Sequence, residues 1–398
     1  MIKNIFKKII VYILTIEAKL VLKKYKPQIV AITGNIGKTS SKDAIYTAIS
    51  SSFFVRKSEK SFNSEIGIPL TILGLPNAWN DFFLWLKNLV NGLKIILLKN
   101  HYPKWLVLEV GADRPRDIEK VSKWLKPDIV VVTHLPDVPV HVEFFKSTEE
   151  VIKEKSYLPK ALKDNGILII NADDKKVLAM KEIVNDKKIF TYGFTENSDV
   201  TASNENIIYE NNKPIEIAFR IDHNGNSIPV ELSGVLGKQH IYPILSAFAV
   251  GISQGLNTVN IKQALVNHEP AQGRMRLIEG INGSIIIDDS YNASPTAVNE
   301  ALNTLKQINT TGKKIAVLGD MMELGNHSYD EHIKAGKLVA QTADILITIG
   351  VRSKYIAQGA NEEKMKKRDI FQFNDSVKAG EKLAKIIGEC DVVLVKGS

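Results

Sequence analysis

The chain holds a single cysteine, Cys390, in 398 residues, which excludes an internal disulfide framework and fits a reducing compartment. Cys390 stands just before an apolar, strand-like run and reads as a buried structural thiol rather than a nucleophile. Low-complexity tracts and obvious repeats are absent. No apolar run approaches the roughly 20 residues that a membrane-spanning helix needs; Ile9–Ile16 is only eight residues long. No small-residue cleavage site follows it, which argues against a signal peptide. With 44% hydrophobic and 24% charged residues, the composition is that of a soluble globular protein, and the length calls for two or three domains.

Negative charge is scarce in two places. The net charge is +8, yet residues 1–28 alone carry seven Lys and one Glu, and residues 77–104 carry four Lys and one Asp. The rest of the chain is close to neutral, so the basic character belongs to two segments and not to the whole surface. Motifs of nucleic-acid binding are missing, and no nucleic-acid partner is expected. Both basic segments are also apolar: the first contains IIVYILTI, the second Trp79, Phe82, Phe83, Trp85, Leu86, Leu89, Leu93, Ile96 and Leu97 with lysines between them. Two readings stay open for them, packing on the first domain or on a partner, and peripheral contact of residues 1–27 and 79–98 with an anionic membrane surface.

From Gln28 onward the pattern is α/β. Apolar runs at Ile29–Ile32, Trp105–Val110, Asp128–Thr133, Gly166–Ile170 and Lys188–Tyr192 alternate with helix-like stretches such as Ser41–Ser50 and Ser147–Leu162. This predicts a mainly parallel sheet covered on both faces. Residues 199–232 are polar and Asn-rich, and predict a β-hairpin of Ile215–Ile221 and Ser227–Leu232 around a tight turn at Asp222-His-Asn-Gly. A helix at His240–Gln254 and a shorter one lead to Pro270. Strands near 284–288, 314–318, 344–349, 370–373 and 391–395, with helices between them, then predict a doubly wound, Rossmann-like unit.

The strongest local signal is Ala31-Ile-Thr-Gly-Asn-Ile-Gly-Lys-Thr-Ser40, which follows an apolar strand and opens a helix near Lys38. In such a P-loop, backbone N–H groups and the helix N-terminus cradle phosphates, Lys38 meets the β/γ-phosphates and the Thr39 hydroxyl ligates Mg²⁺. The segment Thr33, Gly34, Asn35, Ile36, Gly37, Lys38, Thr39 and Ser40 is therefore the expected ATP site. It is a variant loop, because the generic pattern has glycine where Ile32 stands.

Thr-Gly-Xaa-Xaa-Gly-Lys-Thr-Ser is the P-loop form of the Mur ligases, and five further segments resemble motifs of the MurF branch of that family. They are Ser61-Phe-Asn-Ser-Glu-Ile-Gly-Ile-Pro-Leu-Thr-Ile-Leu73, Glu109-Val-Gly-Ala112, Asp288-Asp-Ser-Tyr-Asn-Ala-Ser-Pro295, Leu318-Gly-Asp-Met-Met-Glu-Leu-Gly325 and Val395-Lys-Gly-Ser398. Together they run in order from residue 33 to residue 398. Residues 1–27 read as a basic apolar helix, and the resemblance implies a central ATP-binding domain at 28–269 with the parallel sheet and hairpin, followed by a C-terminal domain at 270–398 that stops short of the family's final helix. It implies a cytoplasmic enzyme, at the inner membrane surface if the basic segments bind there. Its reaction would pass the γ-phosphate of ATP to the carboxylate of a UDP-MurNAc-peptide, and the amine of D-alanyl-D-alanine would attack the acyl-phosphate.

The resemblance also implies roles. Glu109 would ligate Mg²⁺ at the carboxyl edge of the sheet, and His141 would reach the metal, with His134 as the alternative. Lys155 matches a lysine that the family carbamylates into a carboxylate-like ligand. Arg274, Asp288, Asp289, Tyr291 and Asn292 match positions that close on ATP, while Asn63, Ser64, Glu65 and Lys396 would meet substrate. The chain departs from the pattern in three respects. Only residues 1–27 precede the P-loop strand, where the family has a domain that grips the UDP-sugar. The family's HNxxN segment reads Gly237-Lys-Gln-His-Ile-Tyr-Pro243, and Ser294 replaces an Asn. The rival readings are another Mur or folylpolyglutamate-type ligase, and a membrane-associated P-loop ATPase without ligation.

Overall fold

The computed structural model describes residues 2–59, 62–139, 142–184, 186–266 and 268–398, with side chains from Lys7 onward. Helix α1 (Ile2–Tyr25) precedes β1 (Gln28–Thr33), α2 (Lys38–Ser50), β2 (Val55–Lys57), α3 (Gly67–Leu73), α4 (Phe82–Leu97) and β3 (Trp105–Glu109). Then come α5 (Asp117–Ser122), β4 (Ile129–Val132), α6 (Thr148–Lys160), β5 (Ile167–Asn171), α7 (Lys175–Leu178) and β6 (Lys188–Gly193). Three long strands follow, β7 (Val200–Glu210), β8 (Lys213–His223) and β9 (Asn226–Ser233), and two helices, α8 (Lys238–Ser253) and α9 (Thr258–Leu265). The last part holds β10 (Arg276–Glu279), β11 (Ile285–Asp289), α10 (Pro295–Gln307), β12 (Lys314–Gly319), α11 (Ser328–Ala340), β13 (Ile345–Ile349), α12 (Lys354–Glu362), β14 (Ile370–Phe373), α13 (Ser376–Ile386) and β15 (Val392–Lys396).

Two compact units result, interleaved along the chain. One comprises Met1–Leu135, Glu149–Thr201 and Tyr242–His268; the other comprises Pro136–Thr148, Ala202–Ile241 and Glu269–Ser398. In the first, strands run in the order β2-β3-β1-β4-β5-β6, and every pair is parallel. Both faces are covered, so β1, β3, β4 and β5 read as continuous apolar runs, and Val30–Ile32, Leu106–Leu108 and Leu168–Ile170 are fully buried. Strand β1 lies between β3 and β4, so the carboxyl ends of three adjacent strands deliver Thr33, Glu109 and Thr133 to one edge.

In the second unit, β7, β8 and β9 are neighbours in that order. The β8–β9 hairpin closes at Asn224 and Gly225, with φ of 47° and 76°, and pairs His223 with Asn226. That is the two-residue turn with both residues left-handed that Asn-Gly favours. The sequence reading of residues 199–232 gave two strands; the structure adds β7, joined to β8 by a second turn of this kind at Asn211 and Asn212, with φ of 50° and 64°. The other sheet runs β10-β11-β15-β12-β13-β14, with β10–β11 antiparallel and the remaining pairs parallel. Its core gathers Leu236, Met275, Ile287, Val298, Leu302, Leu318, Leu346 and Leu394.

Helix α1 packs on α3 and α4. Its buried stripe, Ile10, Leu14, Ala18 and Val21, has helical spacing, but Glu17 lies within that stripe at 3% exposure. Neither carboxyl oxygen has a hydrogen-bond partner among the described residues, and a Cβ on Gly92 of α4 would lie 2.1 Å from Glu17 Oε2. Burial pushes the Glu17 carboxyl up to about 7, because an unpaired charge is costly away from water. The fold thus accepts the protonated acid. Stability is full below the unfolded-state carboxylate range and falls as pH rises through about 7. Glu17→Gln should change Tm little at pH 5 and raise it at pH 8, by on the order of 3 kcal/mol in stability; thermal melts across that range that shift in parallel for both proteins would contradict this.

Candidate functional site

The loop after β1 is built for close approach. Gly34 has φ of 137°, and a Cβ there would meet Thr133 Oγ1 at 2.0 Å; Gly37 has φ of 84° with open space at its Cβ position. Asn35 N and Ile36 N donate to the His134 carbonyl (2.8 and 3.3 Å), which ties the loop to the end of β4. Gly37 is the N-cap of α2 and offers no side-chain cap, which leaves the positive end of this 13-residue helix at the loop, where an anion is favoured. Lys38 Nζ lies over the loop and donates to the Asn35 carbonyl at 3.1 Å.

Thr39 Oγ1 donates to Glu109 Oε2 at 2.9 Å, and Asn63 Nδ2 donates to Glu109 Oε1 at 3.1 Å. Glu109 itself is buried at the end of β3. Asn63 reaches it because Gly111 has no side chain: a Cβ there would stand 2.9 Å from Asn63 Cγ, and Gly111 N donates to the Asn63 carbonyl at 3.0 Å. A hydroxyl and a carboxylate side by side at a helix N-terminus are oxygen donors suited to a phosphate-bound Mg²⁺. Among the described residues no cluster of three or more His, Cys, Asp or Glu could hold a metal by itself. His141 lies outside the described residues. The alternative, His134, has its Nδ1 2.8 Å from Asp174 Oδ2, and that carboxylate also accepts from Leu135 N at 2.6 Å. Ser64 Oγ accepts from Gly67 N at 3.4 Å at the start of α3, and Glu65 is exposed.

A set of charges that the sequence reading missed underlies this edge. Lys42, one turn beyond Thr39, is buried at 1% exposure. Its Nζ lies 3.4 Å from Asp43 Oδ1, and Lys57 Nζ takes the same oxygen at 2.6 Å. Burial lowers the Lys42 pKa, while Asp43 and Glu109 act to raise it. The i, i+3 spacing from Thr39 is the signal that could have found it.

Lys155 is also buried, on α6. Burial first, and then the Lys38 charge, push its ammonium down to about 7, against the pull of Glu154, Asp113 and Asp117. Its neighbour Glu154 accepts from the backbone N–H groups of Arg116 (2.9 Å), Ile118 (2.6 Å) and Glu119 (3.1 Å), and so closes the N-terminus of α5. A lysine partly neutral near pH 7 is a nucleophile toward carbon dioxide.

In the second unit, Lys396 ends β15 beside Asp289 of β11. Its Nζ lies 2.5 Å from Asp289 Oδ2 and donates to the Asn292 carbonyl at 3.0 Å. Burial raises the Asp289 carboxyl pKa, while Lys396 and Arg274 lower it. The Arg274 guanidinium stacks on the Tyr291 ring at 4.5 Å, and Gly273, with φ of 68°, accepts from Tyr291 N at 3.0 Å. Asp288 accepts from Ser290, and Asn292 Oδ1 accepts from Ser398 Oγ at 2.9 Å. Arg274, Asp288, Asp289, Tyr291, Asn292 and Lys396 therefore share one edge of this unit. Residues of the divergent segment Gly237–Pro243, and Ser294, have local partners. His240 Nε2 lies 2.9 Å from the Arg274 carbonyl, Tyr242 OH donates to Asp173 at 2.9 Å, and Ser294 caps α10 through Ala297 N.

Residues 88–251 match the family model of the Mur ligase middle domain, and residues 273–398 match that of the Mur ligase glutamate ligase domain. The UDP-N-acetylmuramoyl-tripeptide–D-alanyl-D-alanine ligase of Bacillus subtilis is 25% identical over 382 residues, which cover 96% of this chain and 75% of the relative. The Escherichia coli enzyme of the same name is 28% identical over 377 residues, covering 93% and 74%. Among solved structures, MurF from Acinetobacter baumannii superposes with a TM-score of 0.79 at 22% identity, over 97% of this chain and 77% of that one. MurF ligase from Thermotoga maritima in complex with ADP gives 0.78 at 24% identity, over 98% and 80%.

The Asp289–Lys396 pair offers a direct test of this edge. Lys396→Met removes the ion-pair partner of a buried carboxylate and should cost about 3–5 kcal/mol in denaturant unfolding. Adding Asp289→Asn should recover much of that loss; additive losses in the double variant would show that the two groups do not interact.

Proposed function

The chain belongs to the Mur ligase family, and on that premise we propose that it is an ATP-dependent amide ligase that joins D-alanyl-D-alanine to a UDP-MurNAc-peptide in peptidoglycan precursor synthesis. The observation that carries this reading is the Gly34–Thr39 loop opening onto Glu109 through the 2.9 Å bond from Thr39. In the reaction the substrate carboxylate attacks the γ-phosphorus, the bond to the β,γ-bridging oxygen breaks and ADP leaves. The amine then attacks the acyl carbon, gives up a proton, and inorganic phosphate leaves with the C–O bond. No protein nucleophile is needed.

The loop N–H groups and Lys38 neutralise the phosphate charge that a carboxylate nucleophile must approach. Thr39 and Glu109 would hold Mg²⁺, which when bound adds further charge neutralisation. The lowered pKa of Lys155 supports its carbamylation, which would place a negative group beside Lys38. Arg274, Asp288, Asp289, Tyr291 and Asn292 would serve ATP from the second unit, and Asn63, Ser64, Glu65 and Lys396 the substrates; His141 would be a further metal ligand. Residues 1–27 and 79–98 would make a peripheral contact with the membrane, so that the enzyme works in the cytoplasm at the inner membrane surface. No helix among the described residues is long and apolar enough to cross a membrane.

ADP release should require both a UDP-MurNAc-peptide and D-alanyl-D-alanine; release that ignores the amine would favour an ATPase, and preference for a single amino acid would favour another branch of the family. Thr39→Ala and Glu109→Gln should each lower kcat by about a hundredfold or more, with the Mg²⁺ requirement raised. Activity should fall as pH drops below about 7, where Lys155 takes up its proton. Lys155→Ala should be inactive and partly rescued by short carboxylic acids; an unimpaired Ala variant would remove the carbamate role.

A further inference from the structure

Helix α4 is apolar on its outward face as well as on the face that meets the body. Its buried residues include Asn88 and Gly92 beside Trp85, while Phe82, Phe83, Leu86, Val90, Leu93 and Leu97 are exposed, Phe83 at 80% and Leu97 at 78%. At 3.6 residues per turn those six fall within an arc of about 100° and along roughly 22 Å of helix. Asn88 and Gly92 lie on the opposite side, where Asn88 Nδ2 donates to the Pro76 carbonyl at 2.8 Å. The side held to the body carries Trp85 beside Asn88 and Gly92, with half-buried Leu84, Leu89, Ile95 and Ile96 around them, so the outward apolar arc is surplus to that packing. Trp79, also exposed, extends the outward face at its N-terminal end.

The anchoring is firm. Asp81 caps α4 through Leu84 N at 3.0 Å. At the other end Lys24 Nζ of α1 takes the carbonyls of Ile95 (3.0 Å), Ile96 (2.8 Å) and Leu98 (2.5 Å). A contiguous apolar stripe of this length on a well-held helix marks a binding face. Charge decides its occupant. Lys87 and Lys94 lie together along one edge of the stripe on the helical wheel and are exposed. On α1, Ile9, Tyr12, Ile16 and Leu20 form a second exposed apolar stripe, with Lys8, Lys19 and Lys23 beside it. Of the two carboxylates of these segments, Glu17 is buried, and the exposed Asp81 is engaged as the cap of α4, so lysines dominate the exposed charge. A second copy on this face would set lysines against lysines, whereas an anionic bilayer matches both the charge and the apolar stripe.

We propose that α4 lies in the plane of an anionic membrane with the Phe83–Leu86–Val90–Leu93–Leu97 face inserted at the acyl boundary, and that lysines of α1 and α4 engage the lipid phosphates. This rests on the peripheral contact inferred above and assigns its inserting element.

The test uses the full chain with vesicles of phosphatidylcholine alone or with 30% phosphatidylglycerol, on the order of physiological anionic content. Binding should be at least about tenfold tighter to the anionic vesicles and should weaken with salt. Trp79 fluorescence should be quenched by brominated acyl chains, and Trp79→Phe should remove that quenching. The exposed-face variant Phe83→Ser/Leu86→Ser/Leu93→Ser should keep its melting temperature and lose binding at least about tenfold, as should Lys87→Glu/Lys94→Glu. Vesicle binding that the serine variant leaves intact would overturn the insertion of α4 while preserving a looser electrostatic contact. Failure to bind anionic vesicles, or dimerisation abolished by the serine variant, would overturn the membrane contact altogether. ADP release by the wild type without vesicles measures the ligase reading separately.

Discussion

The hydrogen bond from Thr39 to Glu109 joins the first turn of α2 to the end of β3, and much of the first unit is arranged to permit it. Parallel pairing of β1 with β3 sets Ile32 level with Glu109, so the strand that launches the loop and the strand that carries the carboxylate end together. A buried carboxylate in that position is costly unless it is bonded and balanced. Thr39 and Asn63 supply the bonds, Gly111 supplies the room for Asn63, and Lys42 supplies a buried positive charge one turn below. Lys42 and Lys57 share the Asp43 carboxylate, so two lysines and one carboxylate lie beneath Glu109.

Local chemistry was legible in the sequence, and partnerships across long separations were not. The Gly34–Thr39 loop, the Asn224-Gly225 turn and the strand–helix alternation all depend on neighbours in the chain, so their residue types announce them. Strand β7 escaped notice because its Asn-rich run faces solvent at alternate positions and its turn is Asn-Asn rather than Asn-Gly. The Asp289–Lys396 pair is 107 residues apart in sequence, and only the register of β11 with β15 brings it together. Family resemblance had marked Lys396 for substrate; its place beside Asp289 needs a sheet order that no periodicity could supply. For α4 the composition was plain but the facing was not, since apolar residues lie on several sides of the helix and only its packing on α1 shows which are covered.

The buried charges of the first unit divide into two kinds, and the division bears on function. Where partners are present, as for Asp174 beside His134, burial is outweighed by hydrogen bonds from His134 and Leu135 N, which lower the carboxyl pKa, and the group serves to fix a loop: Asp174 binds Leu135 N, next to the carbonyl that receives Asn35 and Ile36. Where compensation is missing or is outweighed by burial, the group moves toward neutrality. Glu17 and Lys155 both reach about 7, from opposite directions. For Glu17 this happens among apolar side chains between two helices, where a neutral acid is simply the form that packs. For Lys155 it happens beside Lys38 and near three carboxylates, where a second full positive charge would repel the first. A group poised between charge states next to the loop lysine is placed to change sign by chemistry rather than by motion, and the packing of α6 thereby complements the loop and Glu109, on which the proposed ligase reading rests.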